Sequence, residues 1–217
     1  MKNFKAIIFG MDGVLVDSEP LQVESERFVC KENNINIPLS EWDNFKGKTN
    51  QTIFQYIINN FTDGSLNAEE LSEQKRSTYL ELANSRLSLI PGVVEFLEKV
   101  RSRFDKIGLA TSSSQRVQEA VFHQFDLHKH FDALITGDMV SIGKPHPEPY
   151  QKAAERLGLD PAICIVIEDS DNGIISAKGA GCLPIGITTS FSKERLKQAG
   201  AEHVVDSFEE LTQLLGL

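Results

Sequence analysis

The sequence predicts an α/β protein: a parallel, doubly wound sheet interrupted once by an all-helical insertion. Three observations carry this expectation. An apolar run, Ala6-Ile7-Ile8-Phe9, stops at Gly10-Met11-Asp12-Gly13, which reads as a buried strand and a tight turn. From Ile90-Pro91-Gly92 onward, strand and helix signals alternate to the end of the chain, the pattern of a parallel sheet covered on both faces. Between about Ser18 and Leu89 the text is helical in period and poor in strand signals. The first strand can join the later sheet only if that helical block is inserted after it. The expected organisation is therefore a Rossmann-like α/β core, residues 1–17 and 89–217, enclosing a helical cap, residues 18–88.

In the cap, a helix is expected from Glu19-Pro20, with proline early where helices tolerate it, to about Asn33. A second starts near Thr49 and carries Ile53, Phe54, Ile57 and Ile58 on one face. A third follows Asn67, whose side chain is a cap for Ala68-Glu69-Glu70. Between the first two lies a short basic loop, Phe45-Lys46-Gly47-Lys48-Thr49. In the core, helix Val93–Arg103 precedes strand Lys106–Thr111, and helix Ser114 to about Phe125 precedes strand Ala133–Thr136. Helix Pro147–Leu157 precedes strand 162–167, and helix 172–180 precedes strand Leu183–Ile187. A last strand, His203–Val205, and helix Phe208–Leu215 complete the expectation.

With 217 residues, 41% hydrophobic and 24% charged, the chain can bury a sizeable core. Its net charge of −9 argues against a nucleic-acid partner, which calls for a basic face. Acidity does not exclude an anionic small substrate, since a bound cation and a few lysines reverse the local field. Cys30, Cys164 and Cys182 are widely spaced with no CxxC pair, which suits a reducing compartment. No apolar run reaches the length of a membrane span, and the first residues show no signal-peptide pattern. The expectation is a cytoplasmic protein, monomeric, with no membrane partner.

Four strand ends carry polar groups of complementary kinds. The first offers Asp12; the second runs into Thr111-Ser112-Ser113-Ser114; the third leads to Gly143-Lys144-Pro145; the fourth ends Glu168-Asp169-Ser170. In a parallel sheet these ends share one edge and converge on one crevice. Carboxylates, hydroxyls with free amides and a lysine describe a site for magnesium and phosphate. Mg²⁺ takes hard oxygen ligands and keeps places for water and a phosphate. Singly, Thr111–Ser114 and Asp169-Ser170 read as helix caps and Lys144 as a solvated lysine; the combination in this order favours function.

These residues resemble the haloacid dehalogenase superfamily, in its phosphatase and β-phosphoglucomutase branch. The match runs from Phe9 to Ser170, and the fourth motif resembles Glu168-Asp169-Ser170-Asp171-Asn172-Gly173 with Gly179-Ala180-Gly181 after it. The resemblance implies that Asp12 is the general acid/base and that Thr111 and Ser112 bind phosphate. It also implies that Lys144 organises nucleophile and phosphate, and that Glu168 and Asp169, with the Asp12 carbonyl, hold Mg²⁺. The family's namesake dehalogenases lack the second aspartate, so Asp12 points to phosphoryl transfer. Position 10 departs from the pattern: the family places there an aspartate that becomes a transient aspartyl phosphate, and this chain has Gly10. The chain reads as an aspartyl phosphatase with its nucleophile removed, expected to turn over little or nothing.

A β-phosphoglucomutase carries a histidine in the first cap helix and an arginine in the cap loop, where this chain has Gln22 and Asn50. Phosphatase is therefore the reading, on a small phosphorylated metabolite such as a sugar phosphate. The mutase and a non-catalytic phosphometabolite-binding protein are the alternatives. Glu19 is expected to contact substrate hydroxyls, and Lys48 and Lys75 anionic or polar groups. Gly47-Lys48-Thr49 is not read as a P-loop, since the spaced glycine and preceding strand are missing. No histidine is assigned to metal, and Trp42 and Phe45 are expected in the cap core.

Overall fold

The structure is a computed structural model, and it describes residues 4–45 and 48–217. The expected basic loop at Phe45–Thr49 therefore lies partly outside the described residues. Strand β1 (Ala6–Phe9) is followed by helices α1 (Glu19–Glu32), α2 (Asn50–Phe61) and α3 (Ala68–Arg86). Then come α4 (Val93–Arg103), β2 (Lys106–Ala110), α5 (Gln115–Gln124), β3 (Ala133–Ile135), α6 (Glu148–Leu157) and β4 (Cys164–Glu168). The chain closes with α7 (Asp171–Ala180), β5 (Leu183–Ile187), α8 (Lys193–Ala199), β6 (His203–Val205) and α9 (Phe208–Leu215).

All six strands pair in parallel, in the order β3-β2-β1-β4-β5-β6. That is the doubly wound order, with the direction of winding reversing at β1. Strand alternation sorts the two faces. Ile7 and Phe9 of β1 join one apolar cluster with Phe96 and Leu97 of α4, Phe122 of α5 and Leu211 of α9. Ala6 and Ile8 point the other way, into a cluster with Tyr150 and Ala153 of α6 and Ala177 of α7. β1 is buried on both faces, which is why its residues read as a continuous apolar run.

Helices α1–α3 hold an apolar cluster of their own, including Trp42, Phe45, Phe54, Ile57 and Leu71. The expected caps are in place: Thr49 accepts from Thr52 N, and Asn67 from Glu69 N and Glu70 N. Two chain segments link this helical block to the sheet side by side. Val16 bridges antiparallel to Leu89, Asp17 N donates to Ser88 O at 2.9 Å, and Ile90 N donates to Leu15 O at 2.9 Å. On the far side, Arg116 of α5 reaches Glu73 of α3 at 2.6 Å.

Two features differ from expectation. Strand β4 begins at Cys164, after a 3₁₀ turn over Pro161–Ile163 capped by Asp160. Helix α8 has no counterpart in the sequence reading. Its seven residues bury only Leu196, too little for a periodic apolar signal. The signs available were its caps, Ser192 before it and Gly200 at φ +107° after it.

Candidate active site

Register brings the site together. Phe9 lies beside Leu109 of β2 and Ile167 of β4, so Gly10 comes level with Ala110 and Glu168. Gly10 N continues the ladder by donating to Ile167 O at 3.0 Å. The chain then wraps around the Met11 carbonyl, which accepts from Val14 N, Leu15 N and Val16 N. Gly13 in this turn has φ +68°, and a Cβ there would stand 1.9 Å from Asp169 Oδ2. Only glycine fits, because the turn lies directly against the fourth strand's carboxylate.

Asp12 emerges from this turn and is held from two sides. Ser18 Oγ donates to its Oδ1 at 2.6 Å and Gln22 Nε2 at 2.7 Å, both from the helical side. Ser113 Oγ donates to Oδ2 at 2.8 Å and Thr111 Oγ1 at 3.4 Å, both from the loop after β2. Four donors fix one carboxylate between the two parts of the molecule. Thr111 Oγ1 also accepts from Ser113 N at 3.1 Å, which tightens that loop. Asp138 accepts from Gln115 N at 3.0 Å and so caps α5, leaving Ser114 without a capping bond.

Lys144 and Glu168 form a buried ion pair. The ammonium also donates to Ala110 O at 2.9 Å and lies over the Tyr150 ring. Glu168 is saturated: Oε1 accepts from Lys144 and the Tyr150 hydroxyl, and Oε2 from Asp169 N, Ser170 N and Ser170 Oγ. Burial pushes its carboxyl up, but the Lys144 charge and these hydrogen bonds outweigh it and hold the group below its ordinary 4.5. Asp169 goes the other way. Burial first, then the charges of Glu168 and Glu19, raise its carboxyl well above the ordinary carboxylate range. Its side-chain partner is the Ser190 hydroxyl on Oδ2. The two carboxylates expected to act alike are thus divided. Glu168 is bonded to Lys144 and the α7 turn, Asp169 to Ser190, and both line the cleft.

Ser170 serves both expectations, bonding Glu168 and capping α7 through Gly173 N at 3.1 Å. Gly173 is needed there, since a Cβ would fall 2.0 Å from the Glu168 carboxyl carbon. Gly173→Ala is expected to lower stability by about 1–3 kcal/mol, as overpacking does; thermal unfolding measures it.

All the expected site residues line one cleft between the strand ends and helices α1–α3: Gly10, Asp12, Thr111, Ser112, Lys144, Glu168, Asp169, Glu19, Lys48 and Lys75. Lys75 also has partners within the protein. It is buried, donates to Gln22 and to Asn50 Oδ1 at 3.0 Å, and pairs with Glu26 at 3.7 Å. Trp42 and Phe45 belong to the apolar cluster of helices α1–α3 and also line the cleft. Sequence reasoning missed Ser113, Tyr150, Ser190 and Glu26. Ser113 was legible as part of the hydroxyl run; the other three sit on elements whose approach to the site only the fold determines. Of the histidines, His123 and His128 come together with Glu119 within 4.8 Å, a surface group outside the cleft lining.

A profile of haloacid dehalogenase-like hydrolases matches residues 7–187, from β1 to β5. The chain belongs to this family. By family the hydrolase is a phosphatase, with a sugar-phosphatase or phosphomutase-like function. It is 35% identical over 215 residues to a phosphorylated carbohydrates phosphatase of Thermotoga maritima, covering 97% of this chain and 98% of the other. It is 31% identical to hexitol phosphatase B of Escherichia coli K12, covering 99% and 98%. Among solved structures, β-phosphoglucomutase of Clostridium difficile superposes with a TM-score of 0.85 at 26% identity, covering 98% of this hydrolase and 96% of that chain. No described helix of the hydrolase is long and apolar enough to cross a membrane.

Proposed function

We propose that this fold is a magnesium-dependent phosphomonoesterase for a sugar or sugar-alcohol phosphate, whose nucleophile position is Gly10 in this chain. The observation that carries the reading is the convergence of Asp12, Thr111, Lys144 and Asp169 on one cleft at the strand ends. In the active form, an aspartate carboxylate at position 10 attacks phosphorus and the ester P–O bond breaks. Asp12 protonates the leaving oxygen and then takes a proton from the water that cleaves the aspartyl phosphate. Thr111 and Ser112 receive phosphate oxygens, and Lys144, anchored by Glu168 and Ala110 O, neutralises charge on the transferring group. With glycine at position 10 the chain binds its ligand but lacks the attacking group, so it is inactive or crippled.

The donor set fits Mg²⁺: an Asp169 oxygen not used by Ser190, the Asp12 carbonyl, and room for water and phosphate. Glu168, the other expected ligand, accepts from Lys144, Tyr150 and Ser170. When bound, Mg²⁺ would offset the buried negative charge and polarise the phosphate. Because the Asp169 carboxyl is raised in the folded protein, Mg²⁺ competes there with a proton. Magnesium is expected to raise the melting temperature more at pH 8 than at pH 5. An equal shift at both, or none, would argue against metal at Asp169.

Helices α1–α3 act as a cap that closes over substrate, with the paired strands at Val16 and Leu89 as its hinge. The protein is expected to act as a cytoplasmic monomer. Its cysteines, Cys30, Cys164 and Cys182, are free and buried, in keeping with a reducing compartment.

Phosphatase is favoured over mutase because Gln22 and Asn50, at the mutase's histidine and arginine positions, both bond Lys75 in the cleft wall. The test is a screen of the Gly10→Asp form. Free phosphate from several sugar phosphates supports the phosphatase. Glucose 6-phosphate formed from β-glucose 1-phosphate with a bisphosphate activator supports the mutase. The third reading, a non-catalytic binding protein, is supported if a natural gene encodes glycine at position 10.

A further inference from the structure

The cleft wall opposite the strand ends carries a buried carboxylate that the phosphatase chemistry leaves without a task. Glu26 of α1 is 5% exposed and Lys75 of α3 is 4% exposed, and both line the cleft. An ammonium has three N–H donors and no acceptor. Two of those donors go to Gln22 Oε1 and Asn50 Oδ1, and the Glu26 carboxylate lies 3.7 Å from the nitrogen. Lys75 is also 5.7 Å over the Tyr79 ring. Its hydrogen bonds and charge are therefore met by the protein. Burial raises the Glu26 carboxyl above its ordinary value, and the charge and hydrogen bond of Lys75 offset part of that rise.

A buried acid at a substrate wall changes what the wall accepts. Lys75 alone would be a cation at the cleft wall, a grip for a second phosphate or a carboxylate. Paired, it becomes part of a neutral polar surface with Gln22 and Asn50. Glu26 has two carboxylate oxygens, and acceptor capacity beyond its contact with Lys75 suits hydroxyl donors. We propose that Glu26 is a specificity-determining residue: by neutralising Lys75 it selects phosphomonoesters with an uncharged, hydroxyl-bearing remote end and rejects those with a second phosphate. The proposal rests on the phosphomonoester reading above and adds to it the residue that sets the substrate's net charge.

The chain as it stands suits the test, since Gly10 leaves ligands uncleaved. Dissociation constants are measured by calorimetry, with magnesium, for sorbitol 6-phosphate and fructose 1,6-bisphosphate. The monophosphate is expected to bind more tightly. Glu26→Gln should then tighten the bisphosphate about tenfold and weaken the monophosphate, inverting the preference, as unmasking a desolvated charge does. The gain should vanish in Glu26→Gln/Lys75→Met. Lys48 lines the same cleft, and its charge is common to every arm. Should Glu26→Gln not fold, Glu26→Asp, which draws the carboxylate back from Lys75, should move the ratio the same way to a smaller extent. An unchanged ratio in a folded variant overturns the role of Glu26 and leaves the phosphatase reading intact. Binding of neither ligand by the unsubstituted chain overturns both.

Discussion

Gly10→Asp is expected to raise magnesium-dependent phosphate release from sugar phosphates by roughly 10³- to 10⁶-fold, the scale of loss when a covalent nucleophile is deleted. The backbone admits the change. Gly10 is not among the glycines with positive φ, so its conformation is open to any residue. A Cβ there would meet Val14 Cγ2 at 3.0 Å and Glu168 Oε1 at 3.3 Å, which asks those neighbours to give by a few tenths of an ångström. The added carboxylate would enter a cleft already holding Lys144, Asp12 and the Thr111 loop. It would also add an oxygen to the set around Asp169, so magnesium should bind more tightly in the restored form. Steady-state release of phosphate with and without magnesium measures the effect. Equal, robust activity in both forms would sink the aspartyl-phosphate mechanism.

Lys144→Met should cost about 3–5 kcal/mol of stability, because it leaves the Glu168 carboxylate buried with no cation. The pH dependence gives this a sign. In the unsubstituted protein the Glu168 carboxyl lies below its ordinary 4.5, so its contribution is present above that pH and fades as pH falls through the lower, folded value. In Lys144→Met the burial is unopposed by the cation, the carboxyl rises, and the variant should gain stability relative to the unsubstituted protein as pH falls toward 4.5. Lys144→Met/Glu168→Gln should recover part of the loss at neutral pH. Denaturant unfolding at pH 7 and pH 4.5 reads all three. A Lys144→Met protein as stable as the parent at pH 7 would show the pair to be energetically idle. The same substitution should also weaken phosphate binding, which the stability readout does not touch.

Much of the core was legible because its signals are local. β1 reads as four apolar residues stopped by a turn, and the strand–helix alternation after Ile90 specifies a parallel sheet before any contact is known. Thr49 and Asn67 announce the starts of α2 and α3 through cap chemistry that needs only the next three residues. Asp12, Lys144 and Asp169 could be named as site residues because a parallel sheet gathers its carboxyl ends on one edge. What the side chains touch was not legible. Glu168 and Asp169 are adjacent in the chain and chemically alike, yet one is saturated by Lys144, Tyr150 and Ser170 while the other accepts from Ser190. Lys75 reads in the sequence as a cation at the cleft, and only the fold sets Glu26 beside it.

The sequence by itself therefore determined the α/β class, the helical insertion, the family resemblance and the glycine at position 10. Those follow from periodicity, turn chemistry and residue identity along the chain. Only the tertiary structure decided how charge is distributed in the cleft. Glu26 and Lys75, on helices separated by α2, are brought within 3.7 Å of each other, and Asp12 accepts hydrogen bonds from both sides of the cleft. The physical reason is that burial and Coulombic pairing depend on distances across the fold, and residues far apart in sequence set them.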